Sequence, residues 1–272
     1  RKGVTVSLAQ PHSASFEPEF FEILHVAEDR HFWFRSRNRI IAAATQNIDA
    51  QLQPGYWALE GGCGTGNTLR MLDRACTNGR VIGADLYGEG FDKARMRSKS
   101  QLMRLDLTRL PFRRTLSVVA LFDVLEHLPD DCGVLASISD TLVDGGWLVL
   151  TVPRDPKLWS NTDAFVCHVR RYADAELREK LSSAGFDIEY FTPFMTVMRL
   201  LVPLSRKTNA AQQNEKLDRE RALAHFQNEL RIRPIINPIL DAVLGLEAHW
   251  IRNRKTLPTG TSLLAIARKR CG

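Results

Sequence analysis

The chain has 272 residues, of which 44% are hydrophobic and 25% are charged, with a net charge of +6 at pH 7. This composition is typical of a globular protein, excludes extensive disorder, and allows one substantial domain with an elaboration. The absence of any run of about 18 consecutive apolar residues argues against a membrane-spanning helix.

The first 50 residues are predicted to form helices that act as a lid over the rest of the chain. Apolar residues recur at helical spacing from Phe16 to Ala50. Between the two apolar sets lies the aromatic and basic cluster from His31 to Arg39, in which Trp33 and Arg35 are candidate substrate contacts. Two interpretations stay open: the cluster closes over a ligand site and excludes water, or it packs its aromatic face on the domain.

Strands and helices are predicted to alternate from residue 51 to residue 191. Short apolar runs predict the strands and amphipathic runs predict the helices. The predicted strands are Tyr56–Leu59, Arg80–Ala84, Gln101–Leu105, Leu116–Phe122, Trp147–Val152 and Phe186–Phe191, and the predicted helices are Thr68–Ala75, Asp130–Leu142 and Asp174–Gly185. The alternation predicts a doubly wound α/β domain with a mostly parallel sheet.

Residues 192–261 interrupt this alternation and predict a helical insertion, or cap, before the last strand. The insertion contains an apolar stretch (Phe194–Leu204), a charged helix (Gln212–Arg231) and a second apolar stretch (Ile235–Trp250). Residues 262–272 are predicted to form a last strand, Ser262–Ala267, and a basic tail.

A glycine-rich loop follows the first predicted strand and precedes the first helix of the sheet domain. Its sequence runs from Glu60 to Gly66, with glycines at 62, 64 and 66 in a GxGxG pattern. Glycines at this position let the backbone turn tightly and approach a ligand closely. The dinucleotide pattern GxGxxG would need glycine at position 67, which is Asn67, so the loop favours a nucleoside without a pyrophosphate. A tight turn with no ligand is the alternative.

Two acidic residues follow the next two predicted strands. Asp85 lies about twenty residues after the glycines, where a carboxylate accepts hydrogen bonds from ribose hydroxyls. Asp106 ends the third strand, where a carboxylate can accept from an adenine amino group. Because parallel strands end at one edge of the sheet, the loop and both acids are expected to form one site.

These motifs resemble class I S-adenosylmethionine-dependent methyltransferases. The resemblance covers roughly residues 57–191 and depends on five motifs: Glu60–Gly66, Asp85, Asp106 with Leu110–Phe112, Asp123–Leu128, and Leu142–Val152 with its Gly145-Gly146 pair. The segments at 31–39, 168–172 and 257–264 further resemble a bacterial subgroup of the type 11 and type 12 methyltransferases. The chain departs from the family at Ser117, where an Asp is usual.

The resemblance implies a Rossmann-like sheet of seven strands, the last of them antiparallel, and S-adenosylmethionine as the cofactor, with S-adenosylhomocysteine as product. It also implies a role for each residue of the loop and of the strand ends. Glu60 orients the amino-acid end of the cofactor through the glycine loop and bound water, Asp85 holds the ribose, and Asp106 and the Leu107 amide bind adenine. The remaining cofactor-binding residues are Phe122, Gly62, Cys63, Gly64, Gly66 and Leu86.

Two histidines are candidates for the base that removes a proton from the acceptor. His127 follows the fourth strand, and His168 lies after the fifth, beside Arg170, Arg171 and Tyr172. The two arginines suggest an anionic acceptor. Either histidine can instead serve only in packing. A divalent ion on Asp123, Glu126 and His127 is the less favoured alternative, because this ligand set is thin, and no metal is predicted.

The acceptor is expected to be a small molecule or a lipid-linked molecule. Basic residues flank the apolar stretches of the insertion, so contact with a membrane surface is one interpretation, and an ordinary cap core or dimer interface is another. Five scattered cysteines without a CxxC pair indicate a reduced, cytoplasmic protein, with peripheral contact to the inner membrane face left open. An RNA methyltransferase and a non-catalytic cofactor-binding protein are the alternative functions. The RNA alternative has the basic charge in its favour but lacks an Asn/Asp-Pro-Pro-Tyr/Phe motif.

Overall fold

A computed structural model describes residues 18–201 and 219–271, and within them a seven-stranded sheet organises the chain. The strand order is β3-β2-β1-β4-β5-β7-β6, and β7 runs antiparallel to both of its neighbours while the other pairs are parallel. The doubly wound fold with a reversed last strand is therefore confirmed. The strands are β1 (Trp57–Gly61), β2 (Arg80–Asp85), β3 (Gln101–Arg104), β4 (Leu116–Phe122), β5 (Leu142–Pro153), β6 (Phe186–Phe194) and β7 (Ser262–Lys269).

Helices cover both faces of this sheet. The helices are α1 (Pro18–Glu28), α2 (Phe32–Thr45), α3 (Leu69–Ala75), α4 (Phe91–Arg97), α5 (Asp131–Thr141), α6 (Asn161–Phe165), α7 (Asp174–Ser183), α8 (residues 196–201), α9 (Arg219–Glu229) and α10 (Ile236–Arg252). Two apolar cores result, one on each face. The first joins residues of α2, α3 and α10 to the sheet, and the second joins residues of α5 and α7 to it.

The central strands are apolar on both faces because both faces are covered. Along β4, Val118 and Ala120 enter the first core while Val119 and Leu121 enter the second. This continuous burial explains why β4 was predicted with its observed bounds.

Two short helices and one strand start differ from the prediction. Helices α4 and α6 were not predicted, because each is short and has few apolar residues at helical spacing. The fifth strand was predicted to begin at Trp147, but β5 already begins at Leu142 and includes Asp144–Gly146. Gly145 has a φ of +72°, and the register with β4 shifts there, so the strand is irregular at that point.

The described part of the insertion contains the helices α8, α9 and α10, but β6 continues to Phe194, past the predicted start of the insertion at residue 192. The apolar stretch predicted at Phe194–Leu204 contains α8, and the second stretch forms α10. The N-terminal part of the charged helix predicted at Gln212–Arg231 lies outside the described residues, as do residues 1–17 of the predicted lid. No described helix is long and apolar enough to cross a bilayer.

Candidate active site

A cavity of about 1760 Å³ opens at the carboxyl ends of the parallel strands. In open α/β sheets this edge is where ligands bind. Helices α1 and α2 and the insertion supply the opposite wall. The predicted site residues that line the cavity are Trp33, Gly62, Cys63, Gly64, Asp85, Leu86, Asp106, Leu107, Phe122, His127, His168 and Arg171.

The glycine-rich loop has a backbone that side chains would disrupt. Gly62 has a φ of +73°, and a Cβ there would lie 2.4 Å from the Cγ2 atom of Val124. Gly64, with a φ of +48°, faces the cavity as well. Gly66 plays a different part from the one predicted: it is not among the lining residues, and a Cβ would lie 2.8 Å from the Cα of Ala94 in α4. Its role here is close packing of the loop on that helix.

Asp85 is buried at the end of β2, and its two carboxylate oxygens accept backbone hydrogen bonds. Oδ2 accepts from the Gly64 N–H and Oδ1 from the Tyr87 N–H, each at 2.9 Å. Burial raises the pKa of Asp85, and these two N–H groups partly oppose the rise. The carboxylate therefore fixes the glycine-rich loop against β2 and keeps lone pairs for a bound hydroxyl group.

Asp106 caps a short 3-10 turn directly after β3. Its Oδ1 accepts from both the backbone N–H and the hydroxyl of Thr108, at 2.9 and 2.7 Å. Both Asp106 and the adjacent Leu107 line the cavity. Oδ2 of the carboxylate is therefore available to an amino group on this wall.

Glu60 lies fully buried at the end of β1, beneath the loop rather than in the cavity wall. Its Oε1 accepts a hydrogen bond from the Thr68 hydroxyl, while Oε2 has no partner among the described residues. Burial raises its pKa to about 8, although Thr68 and Arg37 act in the opposite direction. A buried carboxyl with one unpaired oxygen needs a polar partner, which a bound ligand or ordered water can supply.

Together these residues fit S-adenosylmethionine. Asp85 offers an acceptor for the ribose and Asp106 offers one for the adenine amino group, both from the cavity wall, while the unpaired oxygen of Glu60 lies beneath the loop, where an ordered water would have to link it to the cofactor's amino-acid end. This fit depends on the carboxylate oxygens at the strand ends and not on the spacing of the glycines.

The N-terminal helices are fastened over the loop by buried ion pairs. Arg97 of α4 contacts the Glu28 carboxylate of α1, and it also donates to the Thr65 hydroxyl of the loop at 2.8 Å. On α2, Arg37 donates to Asp123 at the end of β4, with the two atoms 2.5 Å apart. Helices α1 and α2 are thus fixed to the ends of the strands where the cavity lies.

His127 is poorly suited to accept a proton. Burial, reinforced by the neighbouring His168, lowers its pKa to about 3. The two imidazole rings meet edge to face, with their centroids 4.7 Å apart. A base so weak holds a proton only in strongly acidic solution, so His127 is neutral near pH 7.

His168 is held by a buried carboxylate that was not identified from the sequence. Its Nδ1 lies 2.9 Å from Oδ1 of Asp163, which also accepts from Arg171 Nε at 2.8 Å. Burial raises the pKa of Asp163, but the bonds from His168 and Arg171 outweigh it and leave the pKa lowered, so the side chain is ionised. An ionised carboxylate fixes the proton on Nδ1 and leaves Nε2 as the proton acceptor.

Glu126 lies beside both histidines and is completely buried. Its Oε1 is 3.7 Å from Nε2 of His168, beyond hydrogen-bonding distance. Burial, with the nearby Asp123, raises the pKa of Glu126 well above its ordinary value. Glu126, His127 and His168 each offer one ligand atom within 4.8 Å of the others, a spacing that could hold a metal ion.

Three predicted substrate residues are not brought to the cavity. Arg35 forms an ion pair with Asp241 of α10, and Arg170 forms one with Asp131 of α5. Tyr172 is fully buried, and its hydroxyl donates to Asp131 at 2.8 Å. All three serve packing between elements, so the geometry gives no support to their predicted contact with a substrate.

Basic side chains line the cavity at another place, on the segment between α9 and α10. Arg231 and Arg233 are both exposed and both line the cavity. Arg171 also lines it, but its Nε is taken by Asp163. Positive charge toward a ligand therefore comes mainly from the insertion.

Asp163 was not identified from the sequence, although the sequence contains a local signal for it. Asp163 closes a capping box with Ser160 at the start of α6, and the spacing Ser-x-x-Asp marks such a helix start. The pairing of Arg37 with Asp123 spans 86 positions and has no comparable local signal.

Comparison with known proteins points to one family. A family model described as a methyltransferase domain matches residues 59–150. A probable S-adenosylmethionine-dependent methyltransferase of Mycolicibacterium smegmatis is 29% identical over 165 residues, covering 59% of this chain and 62% of that protein. The mitochondrial ubiquinone biosynthesis O-methyltransferase of Candida albicans is 30% identical over 122 residues, and the match covers 42% of this chain and 37% of that protein. The chain thus spans less than two thirds of the length of these curated relatives.

Solved structures share the fold at low sequence identity. A Haloferax volcanii methyltransferase, solved with the Trm112 methyltransferase activator, has a TM-score of 0.56 at 17% identity and covers 94% of this chain and 98% of its own. Phosphoethanolamine N-methyltransferase 2 of Haemonchus contortus was solved with S-adenosyl-L-methionine and has a TM-score of 0.58 at 15% identity. The match covers 94% of this chain and 58% of that chain.

Proposed function

Because residues 59–150 form a class I S-adenosylmethionine-dependent methyltransferase domain, we propose that this chain transfers the methyl group to a small-molecule or lipid-linked acceptor. The observation that carries the proposal is the continuity of one cavity. The same walls contain the Gly62–Gly64 loop and Asp85 on one side and His168 on the other.

S-adenosylmethionine supplies a methyl group on a positively charged sulfur, which is already a strong electrophile. The residues of the chain therefore have to align the acceptor, exclude water and remove its proton. Phe122 and Trp33 line the cavity and offer apolar surface for the exclusion of water.

His168 is the residue that we assign as general base. Asp163 holds its Nδ1 proton and stabilises the imidazolium that forms when Nε2 takes a proton from the acceptor. Asp163 is a positioning residue in this assignment, since it acts through His168. The pKa of His127, about 3, supports the choice between the two histidines.

An anionic group on the acceptor is supported by the charges at the insertion side of the cavity. Arg231 and Arg233 line it there, and a guanidinium binds carboxylate and phosphate groups through paired hydrogen bonds. This assignment replaces Arg170, which is paired with Asp131 away from the cavity.

The first experiment measures cofactor binding and the class of acceptor. Calorimetric titration with S-adenosylmethionine and S-adenosylhomocysteine should show binding, whereas NAD should not bind. The chain is then incubated with methyl-labelled cofactor and, in separate reactions, a bacterial lipid extract, water-soluble metabolites or total RNA. Label in lipids or metabolites supports the proposal, and label in RNA alone supports the RNA alternative. Cofactor binding without any labelled product supports a non-catalytic binding protein.

A second experiment tests the base with the acceptor so found. His168→Gln should lower kcat by about a hundredfold or more while leaving cofactor affinity unchanged. Asp163→Asn should lower kcat and shift the pH profile of kcat, because it no longer fixes the Nδ1 proton. His127→Gln is the matched variant, and a larger loss from it than from His168→Gln would overturn the assignment.

A further inference from the structure

The outward face of α10 carries a continuous apolar stripe. Its members recur every three or four residues, so they share one side of the helix. Two of them are strongly exposed, Ile235 at 75% and Leu246 at 70%. The stripe consists of Ile235, Ile239, Val243, Leu246 and Trp250. An exposed apolar surface of this extent is typical of an interaction site.

The opposite face of α10 is fixed on α2, which determines which side of the helix faces outward. Asn237 Oδ1 accepts from the Phe32 N–H at 2.8 Å, and Asp241 accepts from the Ser36 hydroxyl at 3.2 Å. Glu247, also buried, accepts from the N–H of Met195 at 2.8 Å. Both carboxylates of α10 therefore point inward.

Positive charge lies at both ends of the stripe. Before α10 stand Arg231 and Arg233, and at its end stand Arg252, Arg254 and Lys255, all exposed. The ammonium of Lys255 lies 4.7 Å from the centre of the Trp250 ring. Since Asp241 and Glu247 are the only acidic residues from 231 to 255, the outward surface is apolar in the middle and cationic at its ends.

The charge pattern indicates which kind of partner binds this surface. Two copies packed through their stripes would bring cationic ends against cationic ends in either orientation of the helices. An anionic bilayer surface instead receives the apolar residues below its headgroups and pairs the arginines and lysine with its phosphates. Tryptophan and lysine side chains are both suited to that boundary.

The stripe also adjoins the cavity. Ile236, next to Ile235 of the stripe, is exposed and lines the cavity, and so do Leu201 of α8, Arg231 and Arg233. A molecule held at the bilayer surface by an acyl chain would reach the cavity from this end, with its anionic headgroup near the two arginines.

We propose that the outward face of α10 docks the protein on an anionic phospholipid bilayer and presents the cavity to a lipid-linked acceptor. Delivery of the acceptor rests on the proposed methyl transfer, whereas docking itself does not.

Sedimentation with vesicles tests the docking. The chain is mixed with vesicles of phosphatidylcholine containing phosphatidylglycerol, or of phosphatidylcholine alone. We expect binding to the anionic vesicles and a decrease of about tenfold or more with Leu246→Glu, because a charge replaces an apolar group in the bilayer. Arg252→Gln with Lys255→Gln should remove most of the preference for anionic vesicles.

The matched control is Met96→Glu, which places the same charge at a side chain 77% exposed on α4. Vesicle binding equal to wild type is expected for this control. If Leu246→Glu binds vesicles as well as the control does, the proposal is overturned.

Analytical ultracentrifugation without lipid measures the oligomeric state and tests whether a second copy of the chain covers the stripe. If wild type fails to bind vesicles and forms a dimer that Leu246→Glu dissociates, the stripe is an interface between copies. If wild type fails to bind vesicles and is monomeric, no bilayer uses the stripe. Either result overturns the proposal. Calorimetry with S-adenosylmethionine on the same preparations separates the two proposals, since a failure of docking leaves cofactor binding intact.

Discussion

At the scale of single residues, Asp85 joins two parts of the candidate site. Its carboxylate holds the N–H of Gly64 and is positioned to accept ribose hydroxyls. Asp85→Asn would place an amide NH₂ opposite a backbone N–H and remove one acceptor. We expect the Kd for S-adenosylmethionine to rise about tenfold or more, measured by calorimetry.

Asp92→Asn, at an exposed position on α4, is the control for this measurement and should not change the Kd. An unchanged Kd in Asp85→Asn, at an unchanged melting temperature, would contradict the ribose role of Asp85.

The raised pKa of Glu60 predicts how the stability of the chain without cofactor depends on pH. In the unfolded chain its pKa is near 4.5, and in the folded chain burial raises it to about 8. The folded form therefore holds the proton more tightly, so stability from Glu60 is full below pH 4.5 and falls as the pH rises to about 8. Glu60→Gln does not titrate.

The free energy of unfolding of wild type should therefore fall, relative to Glu60→Gln, by about 1 kcal/mol or more between pH 5 and pH 8. Urea unfolding at several pH values measures this difference. A constant difference across that window would show that the carboxyl of Glu60 is ionised throughout.

At the scale of elements, α1 is fastened to the loop through Arg97, Glu28 and Thr65. Glu28→Gln keeps the shape of the side chain but removes its charge from a buried pair, so the contact between α1 and the loop should weaken. We expect bound S-adenosylmethionine to dissociate several times faster, measured by stopped-flow fluorescence. Asp92→Asn serves as control, and equal dissociation rates in both variants would argue against a lid role for α1.

Arg170 links the segment after α6 to α5. Its ion pair with Asp131 is one of three contacts to that carboxylate, the others being Lys180 and the Tyr172 hydroxyl. Burial raises the pKa of Asp131, but these partners outweigh it and lower the pKa to about 2.

Arg170→Ala should lower the free energy of unfolding by about 1 kcal/mol or more, because Asp131 stays buried with one partner fewer. Urea unfolding measures the loss, and Arg95→Ala, from an exposed pair on α4, should cost about 0.5 kcal/mol or less. The Kd for S-adenosylmethionine should stay unchanged. A stable Arg170→Ala protein with a raised KM for the acceptor would restore the substrate role predicted from the sequence.

At the scale of the whole molecule, the fold could be predicted far better than the acceptor side of the site. Local patterns define the strands and their acidic ends, as at Leu116–Phe122 and Asp85. Contacts between distant segments have no such signal: the partners of Arg35 and Arg37 lie 206 and 86 positions away, on α10 and after β4. For that reason Arg35 was predicted as a substrate contact although it pairs with Asp241.

Metal removal is a test of the whole catalytic arrangement. The ligand atoms of Glu126, His127 and His168 lie close enough to hold an ion, yet the cofactor brings its own positive charge to the reaction. We expect dialysis against EDTA to leave the rate of methyl transfer unchanged. A loss that Zn²⁺ or Mg²⁺ restores would assign the three residues to a metal site.

The walls of the cavity come from two different parts of the chain. Residues 59–150 supply the loop and the strand ends, while α2 and the segment from Arg231 to Leu240 supply part of the wall that lies outside this domain. Because neither outer segment contributes a strand to the sheet, evolution could exchange them without rebuilding the cofactor site. Chimaeras that carry these segments from a relative should keep the affinity for S-adenosylmethionine and acquire the relative's choice of acceptor.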